Sequence, residues 1–470
     1  MKIVLWDTRQ LDVSKDFAGG YGVGQYASGG GIRGQIIRRF YKRDHRPTAL
    51  TFAYLAGIFR KLGHEVHFGE DEIIANGDVY VFSPSLITLN LELAAIREVI
   101  RTQPSARILV VGILATTLTA AFAELPVTLV QGEPEQLLWK LDEVLNQKSG
   151  PVAVGSIQDL DALPFPDWDL FAPKKFRIAY DFSQFPTGLI QQSRGCTFTC
   201  NYCPYIVIEN KTRFRSPESV VEEMRRGMQE YGFRSFKFRD PLFGLDRKRV
   251  LKMAELIGQL PRKVQFSIES RIDLLKSETL TVLSEVGLTA ITVGIETPDE
   301  TTLKQYKRAP INDDKQRQFI ETCRRLGIRT VAGFMIGFPE DTAQSIKGVL
   351  RYAKAVNPTF ANFNIVTPYP GTEFYNQVVQ DIADFDFTKY NVYTPVMKYQ
   401  HLTAAEVTAR HARCFTKYYF RWDWVQAHAH LLWPATKWLG FGYRPAPEPQ
   451  APATIALPIV AASDSDRKVA

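Results

Sequence analysis

The sequence predicts an α/β protein built as a doubly wound parallel sheet, an incomplete (β/α)6 barrel and a small helical region. Three observations carry this. Short apolar runs alternate with helix-period segments over residues 1–145. A second series of six strand–helix units fills residues 187–380, after a gap rich in proline and aromatics. Three of the five cysteines, Cys196, Cys200 and Cys203, follow directly on the first strand of that second series.

Residues 1–149 are read as the first domain. Lys2–Asp7 is an apolar strand. Phe52–Leu62 is a helix because Phe52, Leu55, Ala56 and Phe59 share one face, and Gly63 supplies its stop. Strands are expected at Glu65–Phe68, Asp78–Ser83, Arg107–Val111 and Leu129–Gln131, with helices at Leu91–Thr102 and Gln136–Leu145. Ligands of such sheets sit beyond the carboxyl ends of the strands. Asp16–Gly34 interrupts the pattern with Gly19, Gly20, Gly22, Gly24, Gly29, Gly30, Gly31 and Gly34 around Tyr21 and Tyr26. It does not form G-x-G-x-x-G after a strand, so it is read as a lid over an interdomain cleft or as a plain flexible loop. Arg38, Arg39, Lys42, Arg43 and Arg46 follow, a solvated basic helix face in the simplest reading.

Residues 150–186 read as a linker, pinned by its apolar residues. The barrel domain is 187–380, with strands at Gly188–Ser193, Ser235–Arg239, Val264–Ile268, Ala290–Gly294, Thr330–Ile336 and Phe360–Val366. Helices Pro217–Tyr231, Arg247–Leu260, Ser277–Val286, Asp313–Leu326 and Thr342–Ala355 lie between, the first capped by Ser216. Barrel chemistry belongs at the carboxyl ends of the strands, where the cysteines fall. Residues 381–444 are read as a helical region containing the helix Ala404–Phe420 and the aromatic, basic stretch Trp422–Tyr443; residues 445–470 are read as a disordered tail.

The chain has 470 residues, 45% hydrophobic and 23% charged, with a net charge of +7. These values fit a soluble globular protein and do not argue for nucleic acid. No apolar run has the length of a membrane span, and the N-terminus has no signal-peptide design. Five cysteines, three of them clustered, suit a reducing cytoplasm and not a disulfide framework. Cys323 is read as buried and inert on a barrel helix, and Cys414 as a core or surface thiol.

The cysteines are spaced C-x3-C-x2-C within Arg194–Tyr205. A short loop lets three thiolates converge on one inorganic cluster at little entropic cost. Three ligands leave one iron of a four-iron cube open to chemistry. Three structural cysteines, or a zinc site, are the competing readings; the nearest histidines, His67 and His401, are far away in sequence. With Tyr202 before the third cysteine, the motif resembles that of the radical S-adenosylmethionine (SAM) enzymes. The resemblance covers residues 187–380, a TIM-type partial barrel. It implies a 4Fe-4S cluster on Cys196, Cys200 and Cys203 whose open iron binds SAM and whose electron cleaves it to a 5'-deoxyadenosyl radical.

The resemblance also points to candidate SAM contacts at the strand ends: Tyr202, Asp240, Ser267, Arg271, Gly294, Glu296, Gly337 and Phe338. Glu296 suits the ribose hydroxyls or the ammonium, Arg271 suits the carboxylate, and the glycines admit close backbone approach. Each is equally readable as structural, a strand-end Arg–Glu pair being often a plain salt bridge. Residues 1–149 resemble the Rossmann-like cobalamin-binding domain that precedes many such barrels, on Pro47–His64, Asp78–Ser85, Val110–Thr116 and Gln131–Glu135. The candidate cobalamin contacts are Ser83, Gly112, Gln131, Gly132 and Glu133. The D-x-H-x-x-G motif that supplies a cobalt-binding histidine is absent, and His45, His64 and His67 sit in other contexts. Either cobalt has no protein histidine below it or the domain has lost the cofactor.

Together the resemblances imply a methyltransferase acting on an unactivated carbon. One SAM would methylate cob(I)alamin; a second would yield the radical that takes a substrate hydrogen, and the substrate radical would take the methyl group. An oxidative cyclase or rearrangement enzyme of the same architecture is the alternative, and a non-catalytic iron–sulfur or corrinoid-binding protein is the alternative of another class. A methylthiotransferase is disfavoured because residues 1–195 hold no cysteine. The implied partners are a hydrophobic small-molecule substrate, such as an isoprenoid or tetrapyrrole, and an electron donor such as flavodoxin or ferredoxin. The expected location is cytoplasmic; the aromatic–basic stretch either makes peripheral contact at the inner face of the membrane or packs against the barrel's open side.

Overall fold

A computed structural model of the chain describes residues 1–8, 13–15, 17–24, 32–41, 49–178 and 184–428, with backbone alone for 13 and 37–41. The first sheet has six parallel strands: β1 (Lys2–Asp7), β2 (Glu65–Glu70), β3 (Val79–Phe82), β4 (Arg107–Val110), β5 (Thr128–Gly132) and β6 (Gly150–Gly155), in the order β2-β1-β3-β4-β5-β6. Leu5 pairs with Phe68 on one side and Val81 on the other. The central strands are apolar throughout because both faces are covered. Ile3, Leu5, Val79 and Val81 pack with helix α2 (Leu50–Lys61), while Val4, Trp6, Tyr80 and Phe82 pack with α3 (Leu89–Thr102). Helix α1 (Ile32–Tyr41) precedes them and α4 (Leu137–Asn146) follows β5.

One boundary differs from the sequence reading. Residues 150–155, expected to begin the linker, form the edge strand β6, with Thr128 opposite Gly150. Its half-exposed pattern, Pro151 and terminal glycines read as loop, but an edge strand tolerates all three. The rest of the linker is anchored: Trp168, Phe171 and Phe176 are buried, and the Asp167 amide donates to the Ala53 carbonyl at 2.9 Å.

The second sheet runs in chain order: β7 (Thr187–Ile190), β8 (Ser235–Phe238), β9 (Gln265–Ser270), β10 (Leu288–Glu296), β11 (Arg329–Ile336) and β12 (Phe360–Ile365). Each strand is parallel to the next, and the sheet is open at its β7 and β12 edges. Helices α5 (Pro217–Glu230), α6 (Arg247–Gly258), α7 (Ser277–Glu285), α8 (Asp313–Arg325) and α9 (Ala343–Val356) connect the strands. Ser216 caps α5 by accepting from the Ser219 amide at 3.2 Å. Helix α10 (Ala404–Tyr419), started by a Thr403–Glu406 capping box, lies along β12. There Trp424 donates to the Thr359 carbonyl at 3.0 Å, and Tyr419 donates to that of Ala361 at 3.0 Å. Residues 429–470, with most of the aromatic–basic stretch and the tail, lie outside the described residues, as does His45.

Candidate active site

The cysteine loop leaves the carboxyl end of β7 and is closed at its base by a two-stranded ribbon, Ser193–Arg194 against Arg213–Phe214. Gly195 enters the loop at φ +77°, and a side chain there would meet the Lys211 carbonyl at 2.3 Å, so only glycine fits the turn. The Cys203 amide donates to the Cys200 carbonyl at 3.0 Å. The loop is fixed from beyond by Asn201, whose amide donates to the Tyr306 carbonyl at 3.2 Å. Cys196 and Cys200 are buried and Cys203 is half-buried. Burial, reinforced by the other sulfurs, pushes the Cys203 thiol up to about 12, so three thiolates here need a cationic partner. Among the described residues no three His, Cys, Asp or Glu side chains close on a single metal ion. A cube that takes one thiolate per iron asks for a wider set than a zinc ion does.

Charged groups from β9 and β10 surround the loop. Glu296 ends β10 at φ +68°, a strained conformation for a residue with a side chain, just after a register shift between Gly294 and Glu296. Burial raises its carboxyl, although Arg308 and Arg271 oppose this. Arg308 reaches Glu296 Oε1 at 3.3 Å, the Gly294 carbonyl at 2.8 Å and Cys200 Sγ at 3.9 Å. Arg271 stacks over Phe198 at 4.2 Å and pairs with Asp273 at 3.0 Å. Its buried Nη1 has no hydrogen-bond partner among the described residues, and neither has the Tyr202 hydroxyl. Phe338, after β11, stacks on Tyr306 with centroids 4.6 Å apart and meets the Tyr202 ring edge-on at 6.5 Å. The Gly337 and Phe338 amides donate to Asp341 at 2.7 and 3.0 Å.

The fold therefore gathers Tyr202, Arg271, Gly294, Glu296, Gly337 and Phe338 around the cysteine loop. Ser267 is buried within β9. Asp240 is turned inward, fully buried, and accepts from the Ser193 hydroxyl at 2.6 Å and the Gln192 amide at 3.1 Å. Burial outweighs these bonds and pushes its carboxyl up to about 7. In this structure Asp240 ties β8 to the base of the cysteine loop.

The carboxyl edge of the first sheet faces the same loop across a cavity of about 220 Å3. Ser83, Gly112 and Glu133 line it from the first domain; Gly195, Pro204 and Tyr205 line it from the loop. Gln131 and Gly132 stand behind, the Gln131 side chain donating to the Ala115 carbonyl at 3.3 Å and the Gly132 amide to Thr116 at 3.3 Å. Residues 17–24 and 32–34 of the glycine-rich stretch are described; 16 and 25–31 lie outside the described residues. Gly19, at φ +63°, lies so close to the cysteine loop that a Cβ would meet the Pro204 carbonyl at 2.7 Å. Two bidentate ion pairs cross between domains: Arg194 with Glu135 at 2.9 and 3.0 Å, and Arg213 with Glu133 at 2.8 Å. Beside them a buried Lys15 pairs with Asp7 at 2.5 Å and with Glu92, whose carboxyl burial pushes up to about 7.

Sequence reasoning does not find Arg308, Arg194, Lys15, Phe198 or Glu135. Arg308 sits in a charged loop beside Lys307, where two adjacent cations read as solvent-exposed. The one usable signal is position, on the connection that follows the Glu296 strand end.

Known proteins resemble this chain in sequence and in fold. Residues 190–353 match the sequence profile of the Radical SAM superfamily. An uncharacterized methyltransferase of Pyrococcus horikoshii is 27% identical over 268 residues, covering 56% of this chain and 57% of that protein. The anaerobic magnesium-protoporphyrin IX monomethyl ester cyclase of Cereibacter sphaeroides is 27% identical over 300 residues, covering 63% of this chain and 47% of that protein. The chain thus spans about half the length of the curated relatives it matches. In fold it is similar to the radical S-adenosylmethionine methyltransferase TsrM of Kitasatospora setae, solved with cobalamin and a [4Fe-4S] cluster. The TM-score is 0.59 at 14% identity, covering 88% of this chain and 85% of that one.

Proposed function

We propose that this chain, whose residues 190–353 match the Radical SAM superfamily profile, is a cobalamin-dependent radical SAM methyltransferase acting on an unactivated carbon. The observation that carries this reading is the shared cavity: the C-x3-C-x2-C loop and the carboxyl edge of the first sheet open onto one space. Cys196, Cys200 and Cys203 would hold a 4Fe-4S cluster. Arg271, with an unsatisfied buried nitrogen, and Glu296, held in a strained turn, suit the carboxylate and the ammonium or ribose of SAM. Tyr202 and Phe338 offer ring surface, Gly294 and Gly337 backbone edges; Ser267 and Asp240 would act from behind. Bound together, these cofactors supply a 5'-deoxyadenosyl radical and a transferable methyl group.

The protein's own residues orient and enclose. Ser83, Gly112 and Glu133 would face the corrinoid, with Gln131 and Gly132 fixing the strand end beneath. Among the described residues that line the cavity there is no histidine. Gly19 and Gly20 of the glycine-rich segment line the same space of about 220 Å3 and would border the bound group. The matching relatives also support a second outcome on the same scaffold, oxidative cyclisation, since a porphyrin ester cyclase is among them. A one-electron donor such as flavodoxin or ferredoxin would reduce the cluster.

Peripheral membrane contact is part of the proposal. Among the described residues no helix is long and apolar enough to cross a membrane. Trp422 is 70% exposed and Phe420 is 37% exposed. Nearby, Lys354 is depressed by its own burial and by Arg421, Lys417 and Arg413, a cationic group beside exposed aromatics that suits an anionic lipid surface.

The test of function is anaerobic reconstitution with iron and sulfide, then assay with SAM and a low-potential reductant. Wild type should release 5'-deoxyadenosine and Cys200→Ala should not; undiminished cleavage by the variant would sink the reading. S-adenosylhomocysteine formed alongside indicates methyl transfer, and its absence during turnover indicates cyclisation.

A further inference from the structure

We infer that Arg308 is a positioning residue for the electron: by donating to the Cys200 sulfur it raises the reduction potential of the cluster, with Glu296 as the counter-charge that limits the effect. The inference rests on the cluster assignment above, but not on the reaction that follows it.

The geometry is specific. Arg308 leaves the turn after the short helix Glu300–Gln305, where its own amide donates to the Leu303 carbonyl at 2.8 Å. Its guanidinium passes under the end of β10 and is fixed at two further points, the Gly294 carbonyl at 2.8 Å and Glu296 Oε1 at 3.3 Å. Those contacts aim Nη1 at Cys200 Sγ, 3.9 Å away. The fork shape of guanidinium makes this three-way arrangement available to arginine and not to lysine.

The backbone of β10 is shaped around this group. A Cβ on Gly294 would fall 3.1 Å from Arg308 Nη2 and 2.2 Å from Glu296 Oε1, so a side chain at 294 would push both charged ends out of their present places. The register shift between Gly294 and Glu296 and the positive φ of Glu296 bring the carboxylate onto the guanidinium. Both charged side chains are largely buried, at 12% and 13% exposure, so their fields are weakly screened.

A cluster gains one negative charge when a one-electron donor reduces it, and no bond is made or broken. Part of that charge resides on the thiolate sulfurs. A cationic N–H directed at one of them stabilises the reduced form more than the oxidised form, which raises the potential. Removing the donor lowers it. Removing the carboxylate that partly neutralises the donor raises it further.

The experiment compares wild type with Arg308→Gln, Arg308→Lys and Glu296→Gln, each reconstituted anaerobically. Iron content and visible absorption first establish loading, and a redox titration followed by electron paramagnetic resonance then gives the midpoint. Arg308→Gln should titrate at a more negative potential than wild type. Glu296→Gln should titrate at a less negative one. Arg308→Lys should fall between Arg308→Gln and wild type. A loaded Arg308→Gln cluster with the wild-type midpoint overturns the inference. If that variant does not load, an unchanged or more negative midpoint for Glu296→Gln overturns it instead. A wild-type protein that takes up no cluster defeats the functional reading, a different result that the loading step reveals by itself.

Discussion

Tyr21 stacks on Tyr369, their ring centroids 4.8 Å apart and their planes 26° from parallel. One residue belongs to the glycine-rich stretch of the first domain and the other to the connection after β12. The Tyr21 hydroxyl also donates to the Pro370 carbonyl and lies 3.2 Å from Thr117 Oγ1, so a single buried side chain joins three segments.

Tyr21→Phe keeps the stack and loses the hydroxyl bonds, at an expected cost of about 1 kcal/mol. Tyr21→Ala loses both and leaves a cavity, at about 3–5 kcal/mol. Urea unfolding followed by tryptophan fluorescence measures the two. Equal midpoints for the two variants would remove the stack from the account.

The Arg194–Glu135 pair locks the cysteine loop to the first domain while largely withdrawn from water. Arg194→Ala leaves the Glu135 carboxylate buried without its partner, and a loss of about 3–5 kcal/mol is expected. Arg194→Lys should recover only part, because lysine does not make the two parallel bonds. Thermal unfolding of the three proteins gives the ranking; a fully stable Arg194→Ala protein contradicts it.

Asp240 gives a pH signature. Its folded carboxyl is pushed up to about 7, above its unfolded value of about 4. Between these values the folded chain binds more protons than the unfolded chain, so stability falls as pH rises through the window. The slope for a full proton is about 1.4 kcal/mol per pH unit. Glu92 titrates in the same direction in every variant and cancels in a comparison. Unfolding free energies at pH 5 and pH 7.5 should therefore decline less for Asp240→Asn than for wild type. Parallel declines would show that Asp240 does not titrate there.

The exposed aromatics beside the Lys354 cluster predict binding to vesicles. Phosphatidylcholine vesicles containing phosphatidylserine should co-sediment with the protein at low salt, and pure phosphatidylcholine vesicles should not. Trp422→Ser with Lys417→Glu should lower the bound fraction several-fold. Equal binding to both vesicle types would remove the membrane from the proposal.

Much of this architecture is legible in the sequence because the central strands are covered on both faces. Ile3–Trp6 and Val79–Phe82 are continuous apolar runs, and the helices between them announce themselves by period and cap. The edge strand Gly150–Gly155 is not legible, since half-exposure removes the apolar run that marks the others. The cysteines are legible because their spacing is local. Arg308 and Glu135 are not: the first meets Cys200 from 108 residues away, the second meets Arg194 from 59. Composition likewise marks the glycine-rich stretch as permissive, but only the folded chain shows that Pro204 is what it accommodates.

The contact between Gly19 and the Pro204 carbonyl bears on how such a chain can be recombined. By sequence, residues 17–24 belong to the first domain; by contact Gly19 meets Pro204 of the cysteine loop and Tyr21 meets Tyr369 beyond β12. The two halves are therefore not interchangeable modules. A chimera joined in the linker would import a foreign wall into the cavity between the two sheets, and its fit to the cysteine loop would turn on residue 19. A functional exchange has to keep Gly19 and Tyr21 matched to the barrel while leaving β1, paired on both sides, within its own sheet.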